Sequence, residues 1–75
     1  MTNETVLEAL KNVTYPGFTK DIVAFGFVKD INIDGTNVSL TVEITSSADE
    51  VKQQIIQEST TELKKAGFSN IAVNI

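Results

Sequence analysis

The sequence has no cysteine, no histidine, no tryptophan and no arginine, and only one proline in 75 residues. Without cysteine there is no disulfide staple, no thiolate nucleophile and no thiolate metal ligand. Without histidine the commonest general base and the commonest zinc ligand are missing. Six lysines stand against ten acidic residues, a net charge of −4. A chain of that charge without arginine lacks what nucleic-acid binding needs, both to neutralise phosphates and to read bases. No apolar run approaches the ~20 residues that span a bilayer. Met1-Thr2-Asn3-Glu4-Thr5 has neither the basic region nor the apolar core of a signal peptide. The expectation is a cytoplasmic protein with no membrane and no nucleic-acid partner. Ser-His-Asp, Cys-His and P-loop arrangements are absent too, so the chain by itself is not expected to be an enzyme.

What is present is globular in character: 41% apolar and 21% charged residues. The length accommodates one domain, residues 1–75. Val6, Leu10 and Val13 recur at helical spacing, with Leu7 and Ala9 widening the stripe, and predict a helix over about residues 3–13. Thr2 or Asn3 can cap its start, and Tyr15-Pro16-Gly17 ends it. Residues 17–27 read as a loop rich in apolar side chains (Phe18, Ile22, Val23, Phe25, Phe27) that should pack on the core, with Gly26 marking a bend or a positive φ.

Residues 28–44 read as a β-hairpin. Ile31 and Ile33 alternate with polar residues, Asp34-Gly35 is a turn signal, and Val38, Leu40, Val42 and Ile44 alternate in turn. Ser47-Ala48-Asp49-Glu50 has the form of a capping box opening a second helix over 48–65. Ala48, Val51, Ile55, Ile56, Leu63 and Ala66 share one arc of that helix. Ser59 falls in the same arc, where its hydroxyl is expected to bond back to its own turn. Lys64 and Lys65 suit the C-terminal dipole, and Gly67 suits the position after the C-cap. Asn70–Ile75 closes as a strand. The expected fold is α+β, a two-layer sandwich of order α-β-β-α-β, with two helices on one face of a three-stranded mixed sheet.

Three segments contain residue types that could carry chemistry. Asp30-Ile31-Asn32-Ile33-Asp34-Gly35 opens like a calcium loop, but the twelfth position, which should be a bidentate Glu, is Thr41. No helices flank it and the isoleucines alternate as in a strand, so a hairpin is expected. Thr45-Ser46-Ser47 lies at a helix start where hydroxyls and free N–H groups suit an anion, but Asp49 and Glu50 repel one, and capping explains the segment. Asp21 stands in an apolar loop, where a turn or capping role is expected.

The order of motifs carries a family resemblance. Val6-Leu7-Glu8-Ala9-Leu10-Lys11-x-Val13 is followed by Pro16, then Asp21-Ile22-Val23-x-x-Gly26-x-Val28-x-Asp30-Ile31. A hairpin with Val38-x-Leu40-Thr41-Val42-x-Ile44-Thr45 follows, then Lys52-x-Gln54-Ile55 and Gly67-x-x-x-Ile71-x-Val73. This pattern resembles the SufT/PaaD-like domain of the iron–sulfur cluster assembly superfamily, most like the version at the N-terminus of Mrp/ApbC-type P-loop ATPases that carry iron–sulfur clusters.

The resemblance implies an accessory domain that assists cluster assembly or transfer through contacts with scaffold, carrier or target apoproteins. It implies no cofactor on this chain alone; the iron–sulfur cluster and ATP would belong to a downstream domain or partner. The family's Asp-Pro-Glu is replaced here by Tyr15-Pro16-Gly17. In the stretch where many members carry a reactive cysteine, Thr45-Ser46-Ser47-Ala48-Asp49-Glu50 places Asp49 at the cysteine position. Asp21 and Gly26 match the family block. The candidate surface is therefore Asp21, Gly26, Thr45, Ser46, Ser47 and Asp49. Alternatives are a stand-alone metal- or cluster-binding module and an assembly factor for an oxygenase of the PaaD type. A chain ending straight after its last strand fits either a minimal domain or the N-terminal domain of a longer protein.

Overall fold

In the computed structural model, which describes residues 2–75, Thr2 is the N-cap of α1 (Asn3–Leu10). The Thr2 N–H donates to Thr5 Oγ1 at 3.3 Å. The helix is shorter than the 3–13 its apolar spacing predicts. Val13 lies beyond its end, its N–H bonded back to Leu10 O at 2.9 Å while its carbonyl accepts the Ile22 N–H at 3.0 Å, and Thr14 bridges to Asp21. Val13 still reaches the core, fully buried, from outside the helix.

The sheet comprises β1 (Val28–Asp34), β2 (Asn37–Val42) and β3 (Asn70–Asn74), in spatial order β1-β2-β3. β1 and β2 form the antiparallel hairpin through Gly35–Thr36, one residue later than the Asp34-Gly35 signal places it, with Asp34 paired to Asn37. α2 (Asp49–Lys65) returns the chain so that β3 lies parallel to β2. Val6 and Leu10 from α1, Ile55 and Leu63 from α2, and Val38, Leu40 and Val42 from β2 are all buried in one cluster. The α+β sandwich, its order and its mixed sheet are as the sequence predicts.

One device in β1 is not visible in simple alternation. Val28 opposes Val42 and Ile33 opposes Val38, so both face the core with β2. Val28 and Ile33 differ by five positions, an odd offset, and an unbroken strand would place them on opposite faces. The register shifts between Lys29 and Asn32, so that Asp30 and Ile31 together stand opposite Leu40. Asp30 takes the left-handed φ of +53° that this β-bulge requires. The extra residue restores parity, and Val28, Ile31 and Ile33 all pack against the core cluster.

α2 begins one residue later than expected. Its N-cap is Ala48, not Ser47, and the Ser47/Glu50 capping box does not form. Ser46 Oγ accepts the Ala48 N–H at 3.2 Å, so a hydroxyl turn just ahead of the helix takes the place of the box. Ala48 is consequently exposed rather than part of the buried arc. The far end of α2 closes as expected of Gly67: Phe68 N–H reaches Leu63 O and Gly67 N–H reaches Lys64 O, both at 3.1 Å, with Gly67 at φ +111°. This double bond pattern needs a left-handed residue after the C-cap, and it delivers Phe68 into the core.

Ser59 is fully buried, and its hydroxyl has no hydrogen-bond partner among the described residues. The expected bond to its own turn is made by Thr61 instead, whose Oγ1 donates to Gln57 O at 3.0 Å. An unpartnered buried hydroxyl opposes folding, so Ser59→Ala is expected to raise the unfolding free energy by about 1 kcal/mol. A urea titration with a higher midpoint and an unchanged slope checks this. Asp30→Val is expected to lower stability by about 1–2 kcal/mol, although valine is the better strand former, because a β-branched residue resists positive φ. The same titration reads both.

Candidate functional site

The parallel pairing of β2 with β3 puts their C-terminal ends together, beside the start of β1 and just before the start of α2. Glu43 N–H donates to Phe27 O at 2.8 Å, extending the hairpin ladder beyond Val42. That bond pins the Asp21–Phe27 turn to the same end of the sheet from which Thr45–Ser47 departs. The two segments singled out in the sequence are therefore brought to one end of the domain. Among the described residues no hydrogen bond joins Asp21 to Thr45–Asp49; each segment is held by its own turn.

Asp21 is half-buried, and its Oδ1 accepts the Ala24 N–H at 2.8 Å, while its carbonyl accepts the Phe25 N–H at 3.2 Å. The carboxylate thus caps a single turn, the structural role expected for it. Gly26 ends that turn, donating its N–H to Val23 O at 2.9 Å, with φ +75°. A Cβ at Gly26 would meet nothing within 4 Å, so the backbone angle alone calls for glycine there. Thr45 and Ser47 are exposed, Ser46 is half-buried and engaged with Ala48, and Asp49 is exposed as the first residue of α2.

A depression of about 520 Å³ lies against this segment, lined by residues 41–47 together with Lys52 and Ile75. Its polar groups are the hydroxyls of Thr41, Thr45, Ser46 and Ser47, the Glu43 carboxylate and the Lys52 ammonium. Among the described residues no group of three or more His, Cys, Asp or Glu side chains stands together as a metal site. Such a surface can donate and accept hydrogen bonds and attract a charge of either sign locally. Lys52 was not singled out as a site residue from the sequence; its place one turn into α2, three residues after Asp49, is the signal that puts it beside the helix start.

A second feature escaped the sequence reading. Tyr15 and Phe18 stack at 5.2 Å between centroids, Phe25 and Phe27 stack at 5.0 Å, and the two pairs meet edge to face. Lys20 Nζ lies 6.0 Å above the Phe25 ring. Of the apolar loop residues expected on the core, Ile22 is fully buried and Val23, Phe25 and Phe27 pack against it, but Phe18 is 58% exposed; Tyr15, outside that set, is buried. Single apolar residues in a loop carry no periodicity that tells the buried from the exposed.

Fold and site together define a two-layer α+β domain that gathers a capped turn, a hydroxyl-rich segment and a helix start at one end. A family described as iron–sulfur cluster assembly protein matches residues 3–74, and the chain belongs to that family. It is 37% identical over all 75 residues to an iron–sulfur cluster carrier protein of Helicobacter pylori. The chain spans 20% of that carrier's length. Among solved structures, a conserved hypothetical protein of Thermotoga maritima superposes with a TM-score of 0.85 at 34% identity, over all of this chain and 76% of the other. The sequence resemblance to the assembly superfamily and to its carrier-type members is borne out. Among the described residues no helix is long and apolar enough to cross a membrane.

The capping role of Asp21 has a measurable consequence. Asp21→Ala is expected to lower the unfolding free energy by about 0.5–2 kcal/mol, the range for a lost cap. Asp21→Asn keeps an oxygen acceptor and should stay within about 0.5 kcal/mol of the native chain. Urea unfolding of the two variants separates the cap from any effect of the charge.

Proposed function

We propose that this chain is an interaction domain in iron–sulfur cluster assembly or transfer, acting by protein contact without catalysing a step or ligating the cluster, and standing N-terminal to an Mrp/ApbC-like ATPase. The observation that carries this reading is the donor set around the start of α2 in a member of an assembly family. Asp49 opens α2 at the position where the resemblance puts the family's thiol, and the groups nearby are the Glu50 and Glu43 carboxylates, hydroxyls and one ammonium, with no thiolate among them. Iron–sulfur clusters are held by soft thiolates, and carboxylates are hard, weak substitutes. The cluster is then cargo, held by another domain or protein, and this surface positions that holder against a scaffold or an apoprotein acceptor. The exposed Thr45, Ser47 and Asp49 and the cap at Asp21 form the contact surface. The match to 20% of a far longer carrier supports a place as one domain of such a protein.

Anaerobic incubation of the chain with ferrous iron and sulfide, followed by desalting, is expected to leave no visible cluster absorbance on the protein. One cluster per chain would overturn the reading in favour of a stand-alone cluster-binding module. In the full gene product, Asp49→Lys is expected to slow cluster delivery to an apoprotein several-fold while leaving the cluster load of the ATPase domain unchanged.

A further inference from the structure

β1 and β3 are both edges of the sheet, but they are guarded differently. β1 carries Lys29, Asp30 and Asp34 and is broken by the bulge, devices that keep an edge from pairing with another chain. β3 has none of them. Asn70-Ile71-Ala72-Val73-Asn74 contains no charge and no proline, and its register against β2 runs unbroken from Asn37↔Asn70 to Thr41↔Asn74. It lies in residues 66–75, the longest stretch of the sequence without a charged side chain. Its inward residues are also incompletely covered. Ile71 and Val73 are half-buried, while Val38 and Leu40 beside them are buried. Just past the strand, Ile75 is 41% exposed.

We propose that β3 pairs antiparallel with β3 of a second copy of this chain, about a two-fold axis at Ala72, to give a continuous six-stranded sheet. Two observations favour a second copy over an unrelated strand. The first is charge: two chains of net charge −4 repel over most of their surface, and the uncharged strip is where they can approach. The second is symmetry. Pairing centred on Ala72 sets Asn70 opposite Asn74 of the second copy, and Ile71 opposite its Val73. Amides then meet amides on the open face, and branched apolar chains cover one another on the core side, so the strand is complementary to itself. A five-residue edge buries less than the ~1,000 Å² of a stable interface, so the dimer is a weak, reversible one. This inference is independent of the role in cluster assembly.

Sedimentation equilibrium of the chain should show the mass rising from one chain toward two between about 10 µM and about 1 mM, the range of a weak complex. Ala72 is exposed, so a long side chain there is compatible with the monomer fold, which circular dichroism verifies. Ala72→Lys and Ala72→Glu each place like charges face to face across the axis and should remain monomeric at the highest concentration. An equimolar mixture of the two should associate at least as tightly as the native chain. Amide shifts that move with concentration should be confined to β3 and its neighbours. A native chain that stays monomeric at about 1 mM, a dimer that survives both substitutions, or shifts centred on Phe18 and Tyr15 would each overturn the proposal.

Discussion

Val28, Ile31 and Ile33 must all reach the core, yet they are spaced three and two residues apart in a strand whose faces alternate every residue. Asp30 resolves the conflict by taking a left-handed backbone angle and adding one residue to the ladder. Everything that follows depends on that adjustment. It lets β1 cover one flank of β2 along its whole length, so that β2 lies in the middle of the sheet and shares one core cluster with both helices. It also sets where the Asp21–Phe27 turn meets the far end of the hairpin, through the bond between Phe27 and Glu43.

That end of the domain is a meeting point of strand ends, a capped turn and a helix start. Its construction is economical in chemistry: hydroxyls, an amine and scattered carboxylates, most of them exposed or held in local turns. Rigid backbone supports them, since the turn is closed by its own aspartate and α2 is preceded by the Ser46–Ala48 bond. A surface of this kind is suited to recognising another protein's shape and hydrogen-bonding groups.

Much of the fold was legible in the sequence because it rests on periodicity. The α2 arc of Ile55 and Leu63, the alternation of Val38, Leu40 and Val42, and the stop at Gly67 are local patterns with one reading each. What escaped depends on contacts made far along the chain. α1 ends early because Val13 is claimed by Ile22, and the Ser47/Glu50 box yields to Ser46 because the approach of the chain from β2 places that hydroxyl first. Asp21 and Gly26 were recognised with the correct local geometry, since a carboxylate before a turn and a glycine at its end follow from the residues themselves. The Lys52 depression and the exposed Phe18 depend on the packing of loops, for which the residues between Tyr15 and Phe27 carry no repeating signal.

The parallel partnership of β2 and β3 sets an order of assembly. Asn37 and Asn70, which face each other at the start of that pairing, are 33 residues apart in sequence, while the hairpin closes across two. Local contacts form faster than distant ones. Until α2 and β3 dock, α1 and the hairpin leave β2 with one side bare and its valines and leucine without their second cover. Only when β3 docks does that side close. The last strand in the chain is thus the one on which the integrity of the central strand depends, and any opening that lifts β3 away leaves one side of β2 bare.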